Sequence, residues 1–168
     1  TLDDARETLL AAAAWDDYLA LVADDFTALE RRGDLAFDGG GARAAQPYDR
    51  KLVQLGADGL AGVTRLKLWL RLGQAAVEAQ AWRDAVDAFE AAHALDPDGA
   101  RGRQALLSLD EAYARLGDID GQYRTVLRLA RLPDATDTEV LYRRAFALHE
   151  SPERGVEALD ALLPSHPA

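Results

Sequence analysis

Cysteine, methionine and asparagine are all absent from the 168 residues, and histidine occurs three times. Without cysteine there is no disulfide framework, no thiol nucleophile and no cysteine-based zinc site. Three scattered histidines offer little material for an imidazole metal centre, and no cofactor is expected. The lack of cysteine leaves the compartment open, because it suits a reducing cytosol and an oxidising periplasm equally. Basic charge is short as well: 19 Lys and Arg against 29 Asp and Glu leave a net charge of −10. That balance argues against nucleic acid as a partner, since phosphate binding is driven by basic surface. No apolar run approaches the ~18 residues of a membrane span, so no direct membrane insertion is expected. No basic segment leads into an apolar one at the start, so no signal peptide is legible. The start at Thr1 and the missing methionine suggest an excised or processed piece of a longer product.

What is present leans helical. Residues of hydrophobic type make up 49% and charged ones 29%, enough apolar material for a packed core. Alanine and leucine together supply about a third of the chain, and both are strong helix formers. Arginine far outnumbers lysine and isoleucine occurs once, at Ile119, a bias that reads as the codon usage of a GC-rich bacterial genome.

The stretch from Leu66 to Gly99 carries an internal pattern. Trp69, Leu72 and Gly73 come first, then Ala85, Phe89, Ala92 and Pro97. Large residues on one helix facing small ones on the next let two antiparallel helices approach closely, and Pro97 stops the second helix. These spacings resemble the 34-residue tetratricopeptide repeat, with Ala76 in place of its usual tyrosine. A weaker copy spans 103–136, with Leu106, Leu109 and Tyr113 on the first helix and Gly117-Asp118 at the turn. A degenerate third copy covers 136–168; Thr136 with Glu139 forms a capping box and Ser151-Pro152-Glu153 opens its partner helix. The resemblance implies an all-α, right-handed α-solenoid of antiparallel helix pairs in a single domain.

Ala14-Trp15-Asp16-Asp17 echoes Ala81-Trp82-Arg83-Asp84, so residues 1–32 read as a degenerate N-terminal pair: a helix over 2–13 and a partner over 15–32, ended by Gly33-Asp34. The segment 33–59 reads as a loop-rich insertion around Gly39-Gly40-Gly41, with a short helix from Tyr48 to Leu55.

Catalytic and metal motifs do not assemble. The glycine run lacks the strand and the G-K-[ST] sequence of a phosphate-binding loop. Asp96-Pro97-Asp98-Gly99 and Asp118-Ile119-Asp120-Gly121 place glycine too early for a calcium loop and read as helix caps. His93, His149 and His166 form no metal pair, and Ser108, Ser151 and Ser165 stand in no nucleophile elbow. The chain therefore reads as a non-enzyme. Arg124, Arg128 and Arg131 share a face that reads as solvated, as do the pairs Asp16-Asp17 and Asp24-Asp25.

The resemblance implies a concave groove lined by first-helix positions. Carried over, these are Lys67, Leu70, Gln74, Val77 and Glu78 from the best repeat, then Gln104, Leu107, Glu111, Ala114 and Arg115, then Val140, Arg144 and Ala147. Leu70, Leu107 and Val140 make an apolar strip inside a charged rim, the usual build of a protein interface. The chaperone-tail clamp known in this family uses asparagines and lysines, and the leucines here stand where it needs polar groups. The expected function is a scaffold or assembly module that binds a partner protein's peptide or amphipathic helix, with self-association also open. The alternative is a regulatory or sensor domain whose groove meets its own flanking sequence.

Overall fold

The computed structural model describes residues 2–56, 62–133 and 135–148, and among these it has seven helices and no strand. The chain divides into two compact units, Thr1–Ala81 and Trp82–Ala168. Their boundary falls inside the 66–99 pattern, at the turn between its two helices.

In the first unit, cap chemistry overrides the glycine pattern. Helix α1 runs Leu2–Leu21, straight through Ala14-Trp15, where nothing breaks a helix. The break comes at Asp25, whose carboxylate accepts from the Ala28 amide at 2.9 Å and opens α2 (Phe26–Gln54). The expected helix pair over 2–13 and 15–32 is thus corrected to α1 and the start of α2. Gly33-Asp34 does not end that helix. Gly33 is helical and buried because a Cβ there would stand 3.2 Å from both Arg71 Nη2 and Asp49 Oδ1.

The loop-rich insertion expected over 33–59 is helix as far as Gln54. One residue, Gly41, breaks it at φ 72° and ψ −165°, a backbone region that essentially only glycine occupies. The chain doubles back there, since Arg32 on the first arm stacks 4.8 Å from the Tyr48 ring on the second. The glycine run signals a sharp turn, yet only Gly41 leaves the helical conformation, while exposed Gly39 and Gly40 stay helical. Helix α3 (Gly62–Glu78) then packs against α2.

Beside an apolar cluster of Leu29, Leu52 and Leu68, charge joins α3 to both arms of α2. Arg71 and Asp49 are both buried. The guanidinium meets Asp49 with two prongs, Nε to Oδ2 at 2.8 Å and Nη2 to Oδ1, and reaches Asp34 through Nη1 at 2.8 Å. The Phe37 ring lies 5.3 Å from its centre. Lys67 extends the cluster to Asp34 at 2.8 Å and Glu30 at 3.2 Å. Burial pushes the Asp49 carboxyl above its ordinary pKa against the pull of Arg71. Burial also opposes the charge on Asp34, but bonds from Lys67 and Arg71 outweigh it and hold that pKa low.

The second unit follows the expected helix pattern closely. Helices α4 (Trp82–Leu95), α5 (Ala100–Leu116), α6 (Ile119–Ala130) and α7 (Thr138–Leu148) each pack on the next. Ala85, Phe89 and Ala92 of α4 are buried, as are Leu106, Leu109 and Tyr113 of α5. Tyr123, Val126, Leu127 and Ala130 of α6 form one cluster with Tyr142 and Ala145 of α7. Gly117 adopts the left-handed conformation at the end of α5, and Asp118 caps α6 by accepting from the Gly121 amide at 2.8 Å. Asp96 is not the N-cap of α5; that place falls to Gly99, while the Asp96 carboxylate accepts from the Gly102 amide at 3.1 Å. Nor does Thr136 cap α7. The helix starts at Thr138, and the Asp137 carbonyl takes its first amide bond, from Leu141. Ser151-Pro152-Glu153 and the rest of the third copy beyond Leu148 lie outside the described residues.

Two outcomes follow from these contacts. Arg71→Met strands the buried Asp49 carboxylate and is expected to cost about 3–5 kcal/mol in urea denaturation, whereas pairing it with Asp49→Leu regains most of that loss. Equal destabilisation by both variants would show that shape, not charge, matters there. The second concerns His93, whose Nδ1 is buried. Desolvation first, then Arg128, holds its pKa below the ordinary 6.5, against the pull of Glu90 and Asp98. The unfolded chain therefore takes up a proton that the folded one resists, and this contribution to stability is lost as pH falls from about 6.5. His93→Gln should gain on the wild type in denaturation midpoints between pH 7 and pH 5; a constant difference would rule the effect out.

Candidate protein-binding face

Eight expected groove positions lie on α5 and α7, and all eight are exposed: Gln104, Leu107, Glu111, Ala114 and Arg115 on α5, Val140, Arg144 and Ala147 on α7. The reason is periodicity. The opposite side of α5 carries Ala105, Leu106, Leu109, Ala112 and Tyr113, all buried. Leu107 is left 57% exposed and Val140 64% exposed.

An ion pair joins the two helices. Arg144 of α7 holds Asp110 of α5 with two prongs, Nη1 to Oδ2 at 2.7 Å and Nη2 to Oδ1 at 2.9 Å. Arg144 is therefore an anchored part of the rim. Arg115 is also placed, 3.6 Å from Glu111 one turn back and stacked 5.6 Å from the Trp82 ring centre. Apolar Leu107, Ala114, Val140 and Ala147 thus share their helix faces with side chains that are already held. Asp110 was not among the expected positions. Its signal was legible: it stands 34 residues before Arg144, one repeat period, with the opposite charge.

On α3, in the first unit, the expected residues are less uniform. Gln74 and Glu78 are exposed, and Gln74 donates to Glu78 at 3.4 Å. Leu70 and Val77 are half-buried. Lys67 is taken up by Glu30 and Asp34, so its charge is met within that unit.

Other residues read as solvated have partners. Arg128 leaves the stripe with Arg124 and Arg131 and binds Glu90 at 2.7 Å, on the carboxylate that also accepts from the Tyr113 hydroxyl at 3.2 Å. Asp16 accepts from Arg32 at 2.7 Å and from Tyr48 at 3.2 Å; Asp24 pairs with Lys51 at 2.8 Å. Sequence spacing could not show these, because each partner sits on another helix. Among the described residues no group of three or more His, Asp or Glu is placed to hold a metal ion, and no helix is long and apolar enough to cross a membrane.

No family model matches the sequence, and no curated protein matches it. Solved structures do. One crystal structure of MamA, 19% identical, aligns over 89% of this chain and 81% of its own with a TM-score of 0.59. A second crystal structure of MamA, 17% identical, covers 99% and 90% with a TM-score of 0.58. At such identity the likeness concerns fold alone: the chain is an all-α solenoid of the tetratricopeptide-like kind, built from antiparallel helices.

Proposed function

We propose that the chain is a non-catalytic protein-interaction module that takes up a peptide or amphipathic helix of a partner on the exposed first-helix face of α5 and α7. The observation that carries this reading is the outward placement of Leu107 and Val140. Large aliphatic side chains kept out of a core are most useful where another chain covers them. The rim supports the same reading. Arg144 fixed on Asp110 and Arg115 stacked on Trp82 lose less freedom on binding than free arginines would. A partner with a few apolar anchors between polar groups suits a face of this composition.

The test is capture of partners from a bacterial lysate with the wild-type chain and with Leu107→Glu/Val140→Glu. Both sites are exposed, so circular dichroism should show unchanged helicity in the variant. A protein held by the wild type and lost at least tenfold by the variant is the expected result. Equal capture by both would remove the α5 and α7 face from the function.

A further inference from the structure

Helix α1 presents a second surface, unrelated to the first. Its contact side is set by half-buried Trp15 and Leu19, with Asp16 bonded to Arg32 and Tyr48 of α2. At about 100° per residue, Arg6, Leu10, Ala13 and Asp17 fall together on the side opposite Trp15 and Leu19. All four are exposed, Leu10 at 63%. Leu21, beside them, is 87% exposed. The outer side of a surface helix normally carries polar residues throughout. Here it carries an apolar middle between one positive and one negative end.

The spacing adds information. Positions 6, 10, 13 and 17 advance by four, three and four, the seam of a coiled coil. The seam also reads the same reversed, with charge inverted. Arg6 precedes Leu10 by the interval at which Asp17 follows Ala13. A second copy of α1 laid antiparallel therefore sets Arg6 against Asp17 at both ends. In the centre it sets Leu10 against Ala13, large against small, where helices approach most closely. A parallel copy would instead put Arg6 on Arg6 and Asp17 on Asp17.

Within one helix the two charges lie about 16 Å apart along the axis, too far to meet. The residues three and four places from Asp17 are Ala13, Ala14, Ala20 and Leu21, none of them basic. A net charge of −10 makes copies repel in general, so association needs a local patch of matched opposite charge, which this seam supplies. We propose that α1 is a self-pairing helix: two copies of the chain associate antiparallel about a two-fold axis through Arg6, Leu10, Ala13 and Asp17.

Sedimentation velocity over about three decades of concentration, centred on the micromolar range expected of a contact this small, tests the proposal. The wild type should pass from monomer to dimer. Arg6→Asp alone and Asp17→Arg alone should each weaken association at least tenfold. The double swap Arg6→Asp/Asp17→Arg should restore it, because it rebuilds both pairs with sides exchanged. Loss of the helix does not mimic this pattern, since an added acid near the start of a helix and an added base near its end both favour it. A wild type that stays monomeric, a dimer indifferent to Arg6→Asp, or a swap that fails to rescue would each overturn the antiparallel pairing.

Discussion

Arg71 sits where water cannot reach its charge, and the geometry of the first unit follows from how that charge is met. A buried guanidinium is tolerated only when carboxylates occupy its fork. Asp49 fills two prongs from one arm of α2 and Asp34 a third from the other. For both to arrive, the arms must lie side by side, and that requires the reversal at Gly41. The pair therefore specifies register more than it adds stability: a shift of either arm by one residue would leave a bare charge inside.

The make-up of each unit's own core explains why such a device is useful. Many buried residues are alanines, among them Ala28, Ala42, Ala45, Ala85, Ala92 and Ala105. Each brings helices close but removes little apolar surface from water, and smooth alanine faces slide past one another with little change in energy. The second unit answers the same problem with Glu90, which draws Tyr113 of α5 and Arg128 of α6 to one carboxylate on α4. With registers fixed from within, Leu107 and Val140 are not needed for packing and remain outside.

What the sequence made legible was whatever repeats. The helices of the second unit, the turn at Gly117-Asp118 and the outward side of α5 all follow from a 34-residue period in apolar and small residues. What stayed hidden was pairing between helices that share no period. Asp49 and Arg71 carry no burial signal in the sequence, because burial is decided by how the arms fold back. The glycine run misled for a related reason: three consecutive glycines imply a loop by propensity, whereas only Gly41 uses the freedom glycine offers. Asp25 was the clearer boundary signal, an N-cap immediately before Phe26, the first residue of α2. Of the proposed binding face, the resemblance set out the α5 and α7 positions, and the 34-residue interval to Asp110 pointed to the partner of Arg144.

The polar ties span short stretches of chain: 22 residues from Asp49 to Arg71, 34 from Asp110 to Arg144 and 38 from Glu90 to Arg128. Closing such short loops costs little entropy, and a topology made of them has low contact order, the condition for rapid folding. It also confines damage. In a linear array a substitution is felt by adjoining helices and fades beyond them. Residue identity can then drift one helix at a time while the backbone plan endures. Such drift is consistent with a chain that shares its architecture with MamA at 17–19% identity.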